Sequence, residues 1–149
     1  MDKIDSFKSN YYFLSNFYEA PVTYDGLSFA NNEAAFQAQK CVEPKDRVKF
    51  CSLNPSAAKK LGRRIELRKD WEDVKIKVMT EVVRCKFYQN PDLADKLLAT
   101  GDAYLEEGNT WGDRIWGTVN GQGKNLLGGI LMTVREELRL KREQDLEDL

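Results

Sequence analysis

The stretch from Val22 to Lys40, VTYDGLSFANNEAAFQAQK, holds the change of pattern that decides the fold. Its first eight residues place two short apolar runs around Asp25-Gly26, a dipeptide that tolerates the positive φ angles of a tight hairpin turn. From Asn31 onward the apolar spacing becomes helical, and an asparagine at position 31 or 32 can cap the helix. The stretch therefore predicts a small antiparallel hairpin followed directly by a helix.

Helical patterns cover most of the chain on the C-terminal side of this stretch. Apolar spacing, prolines in first turns and glycines at ends predict further helices at 44–50, 55–62, from 70 through 85, at 91–100 and at about 125–140. The segment 11–18 is predicted as an ordered loop on the core, and Gly101 to Gly129 mainly as loop with short extended pieces. We predict one mostly helical α+β domain over residues 1–149, with its core at about 10–140 and a charged, fraying tail at 141–149.

Composition excludes several classes of protein. The chain has 149 residues, 42% of them hydrophobic, which suffices for one packed core. Its formal net charge of −1 disfavours general binding to duplex DNA, and the absence of histidine removes the commonest metal ligand and any Ser-His-Asp triad. The three widely spaced cysteines are expected to be reduced packing residues. Without a signal peptide or an apolar span, we expect a cytoplasmic protein that needs no metal and no membrane.

Hydrolytic chemistry without histidine has to rely on carboxylates, lysines, amides or bound water. Glu33 lies in the first turn of the predicted helix after the hairpin, where a glutamate commonly does no more than complement the helix dipole. Gln37 and Lys40 share its helix face by i, i+4 and i+7 spacing and make that face unusually polar beside Phe36. Spacing alone favours the dipole interpretation and leaves the catalytic one open.

Asp113 lies in the segment 108–117, GNTWGDRIWG, which places two tryptophans and three glycines within ten residues. Indoles seek burial and glycines cost backbone entropy, so such a segment suits a place where backbone approaches a ligand and a ring stacks on it. A turn-rich plug in the core, with an Asx turn at Asp113, fits the same residues equally well. Both interpretations stay open at this point.

The one concentrated basic stretch lies between positions 59 and 69. Its cations are interrupted by a single acid, Glu66: Lys59, Lys60, Arg63, Arg64, Arg68 and Lys69. Arginine forks match phosphate oxygens, so a diphosphate or a nucleic-acid backbone is a natural partner, although a solvated helix edge explains most of these side chains as well. The segment 121–125, GQGKN, is a second, weaker candidate for phosphate binding, and it matches neither of the common nucleotide-binding fingerprints.

A series of short motifs follows one order from about residue 10 to residue 139: Ser15-Asn16-Phe17, Tyr24-Asp25-Gly26, Glu33 with Gln37, Leu61-Gly62-Arg63, Arg68-Lys69-Asp70-Trp71, Met79, Lys86-Phe87, Thr100-Gly101-Asp102, Glu107-Gly108-Asn109, Asp113-Arg114-Ile115-Trp116-Gly117 and Asn125-Leu126-Leu127-Gly128. In this order they resemble the NADAR, or YbiA-like, family. Several motifs in sequence are far more specific than any one of them, and the resemblance covers nearly the whole chain.

The resemblance implies N-glycosidase chemistry. Family members remove ADP-ribose from guanine bases, or hydrolyse N-glycosidic bonds in phosphorylated early intermediates of riboflavin synthesis. Carried over by position, it implies catalytic roles for Glu33, Asp113 and Lys40. The implied substrate-binding residues are Asn16, Phe17, Gln37, Arg63, Arg64, Trp71, Trp116, Gly117 and Asn125. One departure stands out: where the family commonly has Glu-His-Ala-Tyr-Gln, this chain reads EAAFQ from Glu33, so either that histidine is dispensable or the activity is reduced or redirected.

Cleavage of an N-glycoside passes through an oxocarbenium-like state, with positive charge on the sugar and electrons moving into the base. We expect Glu33 or Asp113 on the sugar side, and Lys40 or a protonated acid near the base. The predicted reaction releases ADP-ribose from an ADP-ribosylated guanine, as nucleobase, nucleoside or DNA, with no cofactor and no obligatory protein partner. The alternatives are hydrolysis of phosphorylated riboflavin intermediates, a non-catalytic reader of ADP-ribose or other nucleotides, and a nucleic-acid-binding module that uses the basic stretch.

Overall fold

The computed structural model describes residues 2–149, whose contacts divide the chain into two compact units. One unit comprises the N-terminal segment through Ser15 together with Pro91–Leu149, and the other comprises Asn16–Asn90. The elements are β1 Lys3–Ile4, β2 Glu19–Tyr24, β3 Leu27–Asn31, α1 Asn32–Ala38, α2 Pro44–Arg47, α3 Pro55–Gly62, α4 Trp71–Gln89, α5 Pro91–Ala99, β4 Tyr104–Leu105 and α6 Leu126–Glu147. The predicted fold class, mostly helical α+β with a small antiparallel element, is confirmed.

The hairpin of β2 and β3 forms at the predicted place in the unit 16–90. Its register pairs Tyr24 with Leu27 across the turn, where Asp25 and Gly26 both have positive φ, 52° and 81°. Asn31, the last residue of β3, caps α1: its Oδ1 accepts a hydrogen bond from the backbone N of Ala34 at 2.8 Å. The strand therefore leads into the helix without a linker, and this junction fixes where the first turn of α1 lies.

Helix α1 forms the centre of the unit 16–90, because all of its seven residues are buried. Three of them are alanines, whose small side chains allow α3, α4 and the hairpin to pack closely around the helix. The helix ends at Ala38, although the predicted helix face extended to Lys40. The backbone N of Gln39 and of Lys40 donate to carbonyl oxygens three residues earlier, which closes a tighter turn than an α-helix has. Lys40 therefore lies just beyond the helix end.

The other unit contains a strand pair that the sequence did not predict. β1 and β4 run parallel, with Lys3 paired to Tyr104 and Ile4 to Leu105, and α6 packs on β4. The segment predicted as a loop at 11–18 is in part a 3₁₀ helix, Ser9–Leu14. Within residues 2–149, no helix combines the length and the apolar composition that a membrane span requires.

The last helix was predicted to end at about residue 140, and this end is wrong, because α6 continues to Glu147. Ion pairs support the extension: Lys141 bonds Asp145 one turn further on at 3.6 Å, and Arg142 bonds Asp95 of α5. Charged residues of opposite sign at helical spacing favour the helix rather than a frayed coil.

Candidate active site

Glu33 is buried in the first turn of α1, with 8% of its surface exposed. Its backbone N donates to the carbonyl of Asn16 at 3.0 Å, which ties the segment before β2 to the helix start. Its carboxylate accepts a hydrogen bond from Nε2 of Gln37, one turn along the helix, at 3.4 Å. A glutamate that only complements a helix dipole is normally solvated, so burial among polar side chains favours a functional role.

The side-chain amides of Asn32 and Gln37, next to Glu33, are buried, and each has one atom without a hydrogen-bond partner in the described chain. Asn32 donates from Nδ2 to Oδ1 of Asn16 at 2.9 Å, and Asn16 in turn donates to the sulfur of Met79 at 3.4 Å. The carbonyl oxygens of Asn32 and Gln37 have no hydrogen-bond donor within the described chain. Unsatisfied buried acceptors cost free energy, so the Asn32 oxygen beside a buried carboxylate is typical of a site that receives a donor from a ligand.

Lys40 lies over the ring of Trp71, with 5.9 Å between Nζ and the ring centroid. Burial lowers the pKa of Lys40, an effect that the Glu33 carboxylate opposes and that Arg63 and Lys59 reinforce. The charges of Glu33, Arg63 and Lys59 therefore all lie close enough to Lys40 to change its pKa. Trp71 is itself buried and packs against Phe36, with 5.2 Å between ring centroids. Its ring therefore contacts Lys40 and Phe36 and is little exposed for stacking on a ligand.

The basic stretch at 59–69 divides into two parts. Lys59 lies over the ring of Phe17 at 5.8 Å and, with Arg63 at the end of α3, acts electrostatically on Lys40. Arg64 is exposed beside Arg63. Arg68 is instead engaged by Asp70, which accepts two of its hydrogen bonds, at 2.6 and 2.9 Å. Lys59 and Arg63 are therefore cations of this stretch that belong to the surroundings of Lys40.

Asp113 lies in the other unit and forms the expected Asx turn. Its Oδ1 accepts hydrogen bonds from the backbone N of Ile115 at 3.0 Å and of Trp116 at 2.9 Å. The side-chain amide of Asn109 bonds both backbone groups of Asp113, because its Oδ1 accepts from Asp113 N and its Nδ2 donates to Asp113 O. The carboxylate thus has a structural task, and its catalytic role stays a prediction.

Gly117 and Asn125 are held by backbone contacts in that same unit. A Cβ at position 117 would lie 2.1 Å from the carbonyl oxygen of Glu107. Asn125 accepts from Glu107 N at 3.0 Å and donates to Leu105 O at 2.9 Å, which joins β4 to the start of α6. These contacts explain both residue types by local packing, and the predicted substrate contacts of Gly117, Asn125 and half-buried Trp116 stay predictions.

The segment 121–125 is a poor phosphate cradle. The backbone N atoms of Gln122, Lys124 and Asn125 already donate to carbonyl oxygens of Val119, Arg114 and Gly117. A phosphate loop needs free amides, so the interpretation of this segment as a cradle is not supported. No group of three or more acidic or cysteine side chains suited to a metal ion occurs in residues 2–149.

Two residues that the sequence does not assign to the site lie beside its members: Asn32 next to Glu33, and Lys59 near Lys40. Lys59 belongs to the basic stretch, whereas the sequence offers Asn32 only as a capping residue. The structure also has a separate cavity of about 260 Å³ that contains none of the predicted site residues. Its lining residues are Tyr24, Asp25, Leu27, Gln39, Pro44, Lys45, Arg47 and Val48.

Comparison with known proteins identifies the family. The NADAR domain matches residues 4–139, which is most of the chain. The chain belongs to the NADAR family. N-glycosidase YbiA of Shigella flexneri serotype 5b (strain 8401) is 42% identical over 132 residues, covering 86% of this chain and 82% of that protein. The NMR structure of Escherichia coli YbiA superposes with a TM-score of 0.83 at 40% identity, covering 95% of this chain and 88% of that one.

A further relative is considerably longer than this chain. Riboflavin biosynthesis protein VVA0006 of Vibrio vulnificus (strain YJ016) is 42% identical over 134 residues, which are 87% of this chain but 36% of that protein. The predicted family is thus confirmed, and the predicted class, a hydrolase of N-glycosyl bonds, agrees with the names of the N-glycosidase relatives.

Proposed function

We propose that this NADAR protein hydrolyses the N-glycosidic bond between a ribose and a nitrogenous base, with Glu33 as the carboxylate on the sugar side. The observation that carries the proposal is a buried carboxylate beside Gln37 and within reach of the charge of Lys40. A carboxylate held there offsets the positive charge of an oxocarbenium-like state or activates the attacking water. Its burial strengthens either effect, because water screens the charge less.

Lys40 fits the side of the leaving base. As the bond to the sugar breaks, negative charge develops on the base, and a cation or a proton donor at that position stabilises it. Burial lowers the pKa of Lys40, which brings its proton transfer nearer to neutral pH. Trp71 holds the ammonium group in place through its ring face. The carboxylate and the lysine thus divide the two charges of the transition state between them.

Lys59 and Arg63 supply a place for substrate phosphate. Both lie near enough to Lys40 to lower its pKa, and Arg63 is exposed to solvent at the end of α3. Arginine and lysine bind phosphate oxygens through charge-assisted hydrogen bonds. A substrate with a phosphate or a diphosphate on its ribose is therefore favoured, and we propose an ADP-ribosylated guanine, released as ADP-ribose and the free base.

A second candidate substrate is a phosphorylated ribosylated pyrimidine intermediate of riboflavin synthesis. The specific observation in its favour is the 42% identity to a riboflavin biosynthesis protein. Both substrates present a phosphorylated ribose linked to a base through nitrogen, so the same residues serve either one.

The test combines substrates with a matched pair of glutamate variants. ADP-ribosylated guanosine, a DNA oligonucleotide with ADP-ribosylated guanine, and the phosphorylated pyrimidine intermediate are incubated separately, and released sugar and base are quantified by chromatography. We expect Glu33→Gln to lose roughly 10²–10⁴-fold in turnover. Glu72→Gln is the control, because Glu72 also lies in a first helix turn but is exposed and pairs with Lys75. Full activity of folded Glu33→Gln would refute the role of Glu33, and ligand binding without turnover by the native chain would indicate a reader instead of an enzyme.

A further inference from the structure

We infer that Gly62 is a positioning residue for the reaction: it leaves the space in which the Gln37 side chain holds the Glu33 carboxylate. The inference rests on the proposed function of Glu33. Gly62 is the last residue of α3, which packs against α1, and it is buried. The motif Leu61-Gly62-Arg63 contains this glycine, but the sequence alone gives it no role in the site.

The need for glycine at position 62 comes from space and not from backbone conformation. Its φ angle is not positive, so other residue types could adopt the same backbone. A Cβ there, however, would lie 2.0 Å from Oε1 and 2.9 Å from Cδ of Gln37. These separations are far below van der Waals contact, so any larger residue has to displace the end of the Gln37 side chain.

The orientation of the Gln37 amide follows from its two neighbours. Nε2 faces the Glu33 carboxylate at 3.4 Å, because a carboxylate accepts from the NH₂ group and repels the carbonyl oxygen. Oε1 lies over the Cα of Gly62 and has no conventional donor within the described chain. The second Cα–H of glycine, which occupies the position of a side chain, is a weak donor for this oxygen. Gly62 thus favours the orientation that holds Glu33.

A methyl group at position 62 would act on catalysis more than on folding. The atoms that it meets are the far end of a flexible side chain, which can rotate, whereas the two helices need not separate. Rotation removes the hydrogen bond from Glu33, and a carboxylate with one contact fewer samples more positions. Because its reaction geometry depends on that position, we expect the chemical step to slow while substrate binding changes little.

The experiment is a double-mutant cycle with the full chain, using whichever of the substrates above is turned over. Gly62→Ala and Gln37→Ala are each expected to lower kcat on the order of 10–100-fold, with KM changed less than about 3-fold. Gly62→Ala in the Gln37→Ala background should lower kcat no further, because the amide that the methyl group displaces is already gone. Gly129→Ala is the matched control, since Gly129 lies in helix α6 and a Cβ there meets no atom within 4 Å.

Each result decides one point. Full activity of Gly62→Ala, when Glu33→Gln is inactive, overturns the inference and leaves the proposed function standing. Independent losses that multiply in the double variant also overturn it, because they indicate a general structural role for Gly62. If Gly62→Ala alone does not fold, the double variant still tests the inference, since the missing amide leaves room for the methyl group. A kcat of the double variant below that of Gln37→Ala rejects the inference, and an equal kcat supports it. Full activity of Glu33→Gln rejects the proposed function itself.

Discussion

At the residue scale, Asp113 poses a question that one pair of substitutions answers. Its Oδ1 accepts from two backbone amides, and asparagine carries an oxygen at the same position. If Asp113 only forms the turn, Asp113→Asn keeps the activity and Asp113→Ala loses stability, by about 1 kcal/mol. If its charge takes part in the reaction, Asp113→Asn loses on the order of 10²-fold in kcat while the fold is unchanged. We expect the first outcome, because the hydrogen bonds that Oδ1 accepts are those of the turn, and kcat is measured beside the denaturation midpoint in urea.

Gln37 and Lys40 show how far residue patterns predict a site. Their spacing from Glu33 placed them on one face, and the structure brings both into its surroundings, although Lys40 lies in a turn and not in the helix. Gly62 could not be found this way, because its role depends on how α3 packs against α1 and a sequence pattern holds no such information. The reason for Asn32 is the same: its partner is Asn16, sixteen positions earlier.

At the scale of elements, helix starts were predicted well because their signals are local. Asn54 and Pro55 open α3 through a side-chain cap and a first-turn proline, as the sequence indicated. The pair of β1 and β4 was missed because each strand has two residues and its partner lies about a hundred positions away. Two residues carry no periodicity, so only the folded backbone shows the pairing.

The junction of β3 with α1 gives a prediction at this scale. Asn31 and Asn54 cap their helices with the same hydrogen bond length, 2.8 Å, but Asn31 is fully buried and also donates to Leu53 O. Replacement of Asn54 by alanine should cost about 1 kcal/mol of unfolding free energy, the usual value of such a cap. Asn31→Ala should cost about 2 kcal/mol, because the part-buried carbonyl of Leu53 also loses its donor. Urea denaturation measures both, and equal losses would show that the second bond contributes nothing.

At the scale of the whole molecule, the charges nearly cancel, so its stability depends on particular buried groups more than on net charge. Among them is Lys86 of α4, whose side chain is 1% exposed and lies near the rings of Tyr18 and Phe87, at 5.7 and 5.1 Å. Burial removes water from around its ammonium group, and a charged group loses favourable hydration when it is buried. Its charged form is therefore unfavourable in the folded chain.

Lys86 predicts how the stability of the protein depends on pH. Burial lowers its pKa from 10.5 to about 7, so above pH 7 the folded chain releases a proton that the unfolded chain keeps up to its own pKa. The unfolded state then binds more protons, and the unfolding free energy should rise from about pH 7 to about pH 9 by on the order of 1 kcal/mol per pH unit. Above that range the Cys41 and Cys85 thiols act in the opposite direction, because burial raises their pKa. Lys86→Met should be more stable than the native chain near pH 7, with an advantage that shrinks as pH rises, whereas Lys77→Met, at an exposed position of the same helix, should follow the native curve. Urea denaturation at a series of pH values measures these slopes, and a native curve parallel to that of Lys86→Met would mean that Lys86 keeps an ordinary pKa in the folded protein.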